Sequence, residues 1–257
     1  MTRVALVTGA ARGIGAATVC ALAANGWAVV ATDRCAADPR LPYPLGTREE
    51  LEALATDQVV PVVADTTSPS DLAAAVAVAR ERFGGLDAAL AVAGVVAGGV
   101  PLWEQPEQEV QAVLDVDLHG VITLARVAIP ALLERPAPRS GRFVAVSSAA
   151  ATRGLPMLAA YCAAKAGVNG LVRGLAAELR GTGVTASCVS PGSTRTPVLE
   201  ESARLYGLAD PEHFARQQPL ERLLEPEEVA AALVWLAGPD SSGVTGADVA
   251  VDGGLSL

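Results

Sequence analysis

An apolar, β-branched run, Val4-Ala5-Leu6-Val7, passes through Thr8 into Gly9-Ala10-Ala11-Arg12-Gly13-Ile14-Gly15, and an Ala/Leu-rich stretch of helical spacing follows at once. A buried strand that turns on glycine into a helix places its next strand parallel to the first, because the helix has to cross the sheet. The same glycines allow a tight turn and leave backbone N–H groups at the helix start open to a diphosphate. Asp33 ends the second apolar run, where a carboxylate accepts hydrogen bonds from adenosine ribose hydroxyls. Asp33 also repels a 2′-phosphate, whereas Arg12 and Arg34 would attract one. The carboxylate is expected to prevail, favouring NAD over NADP.

The alternation continues to the C-terminus. Apolar runs predict strands at 3–8, 27–32, 58–64, 86–92, 141–147, 183–189 and 247–251; helical spacing covers 13–25, 69–83, 107–134, 156–180 and 226–237. This is an α/β pattern: a single Rossmann-type doubly wound parallel sheet with helices on both faces, formed by one domain over 1–257. Two stretches interrupt it, a Pro-rich insertion at 35–47 and a segment at 193–224, and long insertions in compact domains tend to be functional loops.

Composition narrows the function classes. A net charge of −9 without a basic run argues against nucleic acid or an anionic membrane surface as partner. No uninterrupted apolar stretch approaches the roughly 18 residues of a membrane span, and the N-terminal residues read as a strand rather than a secretory leader. A cytoplasmic location is therefore expected. Cys20, Cys35, Cys162 and Cys188 are widely spaced, which favours free thiols over disulfides or zinc. His119 and His213 lack metal-ligand spacing and are expected on helix faces; Trp103, Trp235 and Phe83 are expected in core or interface.

Lys165 is the only lysine, all other members of the nineteen Lys and Arg being arginine, and it stands four residues after Tyr161. On a helix such a pair shares one face. An ammonium near a phenol stabilises phenolate and lowers a tyrosine pKa from about 10, suiting it to proton transfer near neutral pH.

With Thr-Gly-x-x-x-Gly-x-Gly at 8–15 and Tyr-x-x-x-Lys at 161–165, the chain resembles the short-chain dehydrogenase/reductase family over nearly its whole length. The resemblance implies that Ser148, thirteen residues before Tyr161, polarises the substrate oxygen. It implies that Tyr161 transfers the proton, and that Lys165 tunes the phenol and holds the nicotinamide ribose. Gly9, Arg12, Gly13, Ile14 and Gly15 would meet the diphosphate, Asp33 the adenosine ribose with Arg34 beside it at the cofactor, and Asp65 the adenine. Ala93 and Gly94 match residues near the adenosine; Pro191, Gly192, Thr194 and Thr196 match the segment beside the nicotinamide carboxamide and diphosphate. Val251-Asp252-Gly253-Gly254 matches a closing strand that in relatives packs across a tetramer interface, so a homotetramer is expected.

Two departures stand out. Ala91-Val92-Ala93-Gly94 replaces the family's Asn-Asn-Ala-Gly, and Asp117 replaces the asparagine of its catalytic tetrad, bringing a negative charge towards Lys165. The insertion at 35–47 resembles that of the mycofactocin-coupled subgroup, which retains NAD and passes its electrons to the redox peptide mycofactocin. The function expected is NAD-dependent interconversion of a secondary alcohol and ketone on a small, mostly apolar molecule, with Ser148, Tyr161, Lys165 and Asp117 at the chemistry and no metal. Leu155, Met157 and the apolar positions of 198–208 are candidates for the substrate wall. The alternatives are an NADPH-dependent 3-oxoacyl-thioester reductase and a catalytically silent dinucleotide-binding scaffold.

Overall fold

The computed structural model describes residues 2–257. All seven predicted strands form, as β1 (Val4–Thr8), β2 (Ala28–Asp33), β3 (Val59–Val63), β4 (Ala88–Ala91), β5 (Arg142–Val146), β6 (Thr185–Pro191) and β7 (Asp248–Val251). They make one parallel sheet in the order β3-β2-β1-β4-β5-β6-β7. The chain winds outward from β1 to β3 and then returns to the centre, so β4 pairs with β1 on its other side. Between these two strands the crossover helices change faces, and the crevice above their carboxyl ends is where such sheets bind ligands.

Successive residues of β1 serve opposite cores. Val4 and Leu6 pack with α3 (Pro69–Phe83), α5 (Gly120–Leu133) and α6 (Ala159–Glu178); Ala5 and Val7 pack with α1 (Gly13–Ala24) and α8 (Pro226–Ala237). With both faces covered, the strand contains no polar alternation.

Two further helices occur. The helix α2 (Arg48–Glu52) begins in a capping box in which Thr47 and Glu50 bond each other's backbone N–H, and α7 (Pro197–Leu205) begins at Thr196, whose hydroxyl accepts from Leu199 N. Both starts carry readable signals, Thr-x-x-Glu and Thr-Pro. The helix expected at 107–134 is divided into α4 (Glu107–Leu114) and α5 by one π-helical turn, Asp115–His119. The combined span is apolar and long enough to cross a bilayer, but half of its most apolar window is buried. It packs on α3, α6 and β4 as a core helix. Trp103 and Trp235 lie outside the core at 84% and 43% exposure.

Candidate active site

A cleft of about 660 Å³ opens above the carboxyl ends of the strands. Its floor is built for close backbone approach. Gly9 has φ +66°, and a Cβ there would lie 2.5 Å from the Ala93 Cα; a Cβ on Gly15 would lie 1.9 Å from the Gly9 carbonyl oxygen. Gly13 sits against the Thr196 methyl, Ile14 lines the same turn, and Arg12 precedes α1. This glycine cradle at a helix start suits a dinucleotide diphosphate. The Thr8 hydroxyl accepts from Val92 N and Ala93 N at 3.1 and 3.2 Å, bracing the β4 loop without asparagine.

At the adenosine end, Asp33 accepts from Ala11 N and Cys35 N at 3.2 and 3.1 Å. Asp65 accepts from the Thr67 backbone and hydroxyl and lies 3.4 Å from Arg34. Opposite, Pro191 ends β6 and Gly192 follows it; a Cβ on Gly192 would lie 2.3 Å from Gln218 Oε1. The Thr194 hydroxyl donates to the Gly192 carbonyl. The two threonines thus hold the backbone of this wall besides facing the cleft.

Ser148 follows β5 and accepts from Ala150 N, starting a single 3-10 turn. Tyr161 and Lys165 share a face of α6, with the ammonium 5.7 Å from the ring centroid. Lys165 donates to the Val146 carbonyl at 3.1 Å and lies 3.7 Å from Asp117 Oδ1. Asp117 is wholly buried in the π-turn; Oδ1 accepts from Val95 N at 2.9 Å, and Oδ2 has no partner. Gly94 covers the pair, for a Cβ there would lie 3.0 Å from Oδ1 and 3.4 Å from Nζ.

Burial pushes the Asp117 pKa up to about 6 against the pull of Lys165. The Tyr161 phenol is also pushed up, first by burial and then by Asp117, while Ser148 opposes the shift. Lowering by Lys165 is therefore not what prevails at Tyr161. The ammonium is directed to Val146 and Asp117, and the aspartate that replaces asparagine acts on the phenol in the opposite sense.

The insertion lies in this cleft. Tyr43, Leu45 and Gly46 line it, and a Cβ on Gly46 would lie 3.0 Å from Asp33 Oδ1. Three contacts hold the segment: Arg12 donates to the Pro44 carbonyl at 2.6 Å, the Tyr43 hydroxyl accepts from Val96 N at 2.9 Å, and Arg40 meets Asp115 at 2.7 Å. Buried Asp38 organises it internally by pairing with both Arg34 and Arg40, which holds its carboxyl well below the usual range.

Beyond Ser148, Tyr161 and Lys165 the cleft is mostly apolar, walled by Leu155, Pro156, Val198, Leu199 and Leu208, with Ser202 and Gln217 also in its lining. Tyr206 closes one side by donating to the Pro156 carbonyl at 2.7 Å. Met157 is not part of this wall: its φ is +60°, and its carbonyl instead accepts from Gly99 N. Arg153, Phe214 and Leu255 line the cleft without having been singled out in the sequence. No motif spacing marked them, because three separate loops bring them together. Cys162 lies outside the cleft lining, as its helix phase requires, and no metal-binding cluster occurs among the described residues.

Residues 9–256 match the profile of a family described as enoyl-(acyl carrier protein) reductase. The chain is 36% identical to an A-factor type γ-butyrolactone 1′-reductase of Streptomyces virginiae, covering 99% of this chain and 96% of the relative. The chain belongs to the short-chain dehydrogenase/reductase family. It is also 38% identical to a cis-4-hydroxycyclohexanecarboxylate dehydrogenase of Sinomonas cyclohexanicum, over 99% of this chain and 96% of that one. Among solved structures, the 3-ketoacyl-(acyl-carrier-protein) reductase of Brucella melitensis complexed with NADH superposes with a TM-score of 0.87 at 29% identity, covering 99% of this chain and 98% of that one. An oxidoreductase acting on CH–OH or ketone substrates with a nicotinamide dinucleotide follows from this membership.

Proposed function

We propose that this short-chain dehydrogenase/reductase is an NAD-dependent enzyme that interconverts a secondary alcohol and a ketone on a small, mostly apolar molecule in the cytoplasm. In this reading it acts as a homotetramer, keeps its dinucleotide under the 35–47 insertion, and has it reoxidised in place by an external acceptor such as mycofactocin. One observation carries the reading: the insertion enters the dinucleotide cleft at Asp33 and occupies both nearby arginines, Arg12 through Pro44 and Arg34 through Asp38. Arg34 is neutralised by Asp38 and Asp65, Arg12 is drawn aside to the Pro44 carbonyl, and Asp33 repels a 2′-phosphate. Bound NAD supplies the hydride acceptor for alcohol oxidation.

In the same reading the chain's own side chains handle the proton. Ser148 donates a hydrogen bond to the substrate oxygen, and Tyr161 takes the carbinol proton as the hydride leaves carbon. The Lys165 ammonium, held by the Val146 carbonyl, favours the phenolate that accepts this proton and binds the ribose hydroxyls. Asp117 sets the charge beside Lys165. Arg12, Gly13, Ile14 and Gly15 would hold the diphosphate, Asp33 the adenosine ribose, and Thr194 and Thr196 the nicotinamide side.

Mass spectrometry of the gently denatured, purified protein tests this. Release of NAD or NADH in near-stoichiometric amount is expected, together with poor turnover on added NAD that a small artificial electron acceptor restores. A protein that purifies empty, exchanges dinucleotide quickly or works best with NADPH and a 3-oxoacyl thioester would overturn the reading.

A further inference from the structure

Four basic side chains line the cleft: Arg12, Arg34, Arg153 and Lys165. Three belong to its dinucleotide side. Arg12 holds the insertion through Pro44, Arg34 pairs with Asp38 and Asp65, and Lys165 stands beside Asp117. Arg153 lies on the other side, exposed next to Leu155 and Pro156, and among the described residues it has no carboxylate within ion-pair range. Its position is set twice. The Arg153 N–H donates to the Ala149 carbonyl in the turn that Ser148 begins, and Nη1 donates to the Leu255 carbonyl of the C-terminal segment at 2.6 Å.

A guanidinium has five N–H donors in a planar fork. One is used by Leu255, which orients the group and leaves the remaining donors for a planar anion. Arg153 is exposed, so its remaining donors face solvent beside a mostly apolar wall, in a chain of net charge −9. It suits a single negative charge separated from the reacting carbon by an apolar body. A carboxylate matches this better than a phosphate monoester, whose second charge would have no counter-ion on this wall.

We propose that Arg153 is a specificity-determining residue that binds a substrate carboxylate, so that the substrates are hydroxy acids and oxo acids in which an aliphatic or alicyclic body separates the carboxylate from the carbinol or carbonyl. The proposal rests on the alcohol/ketone reading of the same cleft. The apolar body lies against Leu155, Val198, Leu199 and Leu208, while Ser148 and Tyr161 receive the oxygen at the reacting end.

Two measurements on the full-length protein test it separately from the activity. The first is binding of cyclohexanecarboxylate, its methyl ester and cyclohexyl phosphate by titration calorimetry. The acid should bind at least ~10-fold more tightly than either of the others, with that preference lost in Arg153→Gln and partly restored in Arg153→Lys. The second is kcat/KM for 4-hydroxycyclohexanecarboxylate against its methyl ester. Arg153→Gln should reduce the acid:ester ratio at least ~10-fold, mainly through KM. Equal binding of acid and ester, tighter binding of the phosphate, or an unchanged ratio in Arg153→Gln overturns the proposal. Arg153-dependent acid binding without turnover of any alcohol would keep Arg153 as the carboxylate contact but overturn the hydroxy-acid and oxo-acid assignment together with the alcohol/ketone reading.

Discussion

Replacing Asp117 by asparagine should move the acid limb of the pH profile for alcohol oxidation downward by about one unit or more. The expectation follows from the charges around Lys165. Asp117 Oδ1 lies 3.7 Å from Nζ, and Nζ lies 5.7 Å from the Tyr161 ring centroid. The carboxylate oxygen therefore lies within about 9.4 Å of that centroid and about 12 Å of the phenol oxygen, where at an effective dielectric of ~20 a unit charge is worth at least about 1.4 kcal/mol. By linkage this is about one pH unit at the phenol. The sign is upward for the parent, because a negative charge disfavours phenolate, in agreement with the direction Asp117 exerts on Tyr161. Asparagine removes the charge while its amide oxygen still accepts from Val95 N.

The assay is log kcat/KM against pH, for one secondary alcohol, with parent and Asp117→Asn protein loaded with the same dinucleotide. A profile that stays in place, or moves upward, would show that the carboxylate does not act on Tyr161. Thermal stability gives an independent check. Asp117 has a folded pKa of about 6, above its unfolded value of 3.8, so folding takes up a proton between these pH values. The group's unfavourable contribution is absent below pH 3.8, grows through this window and is complete above pH 6. The Tm difference, Asp117→Asn minus parent, should hence be more positive at pH 7 than at pH 4. An equal difference at both would mean that the carboxylate does not titrate in this range.

Two further outcomes follow from the geometry. Lys165→Arg retains the charge but places a broader group in a buried slot between Val146, Asp117 and Gly94, so turnover should fall ~100-fold or more; a loss within about threefold would remove the role of the compact ammonium. Shortening residues 36–46 to a Gly/Ser link removes the Tyr43–Val96 and Arg40–Asp115 attachments, and stopped-flow displacement of bound dinucleotide should then show faster release, with ordinary turnover on added NAD. Unaltered release would separate the insertion from cofactor retention.

The sheet was legible in the chain because its signals are local and strong. The strands are short, mostly apolar runs, most of the major helices repeat at helical spacing, and Gly9 and Gly15 occupy a turn where a side chain would strike backbone. The relation of Tyr161 to Lys165 was equally readable, being a property of one helix turn. Contacts between distant segments left no such trace. The insertion at 35–47 shows only prolines and charges in sequence, and its anchors on Arg12, Val96 and Asp115 exist because tertiary packing brings those residues to one rim.

Asp117 shows the boundary most clearly. Its identity as a departure from the family pattern is a fact of sequence. The π-turn that places it, the burial that pushes its carboxyl up to about 6, and the unpartnered oxygen beside it arise only when α4, α5 and α6 pack around Lys165. Arg153 belongs to the same class: one arginine among eighteen, distinguished by its place beside the apolar wall of the cleft. Local propensity determined the scaffold and the Tyr161–Lys165 spacing. The charge environment of Tyr161, Lys165 and Asp117 was decided by long-range packing, since burial and Coulomb interactions depend on neighbours in space and not on neighbours along the chain.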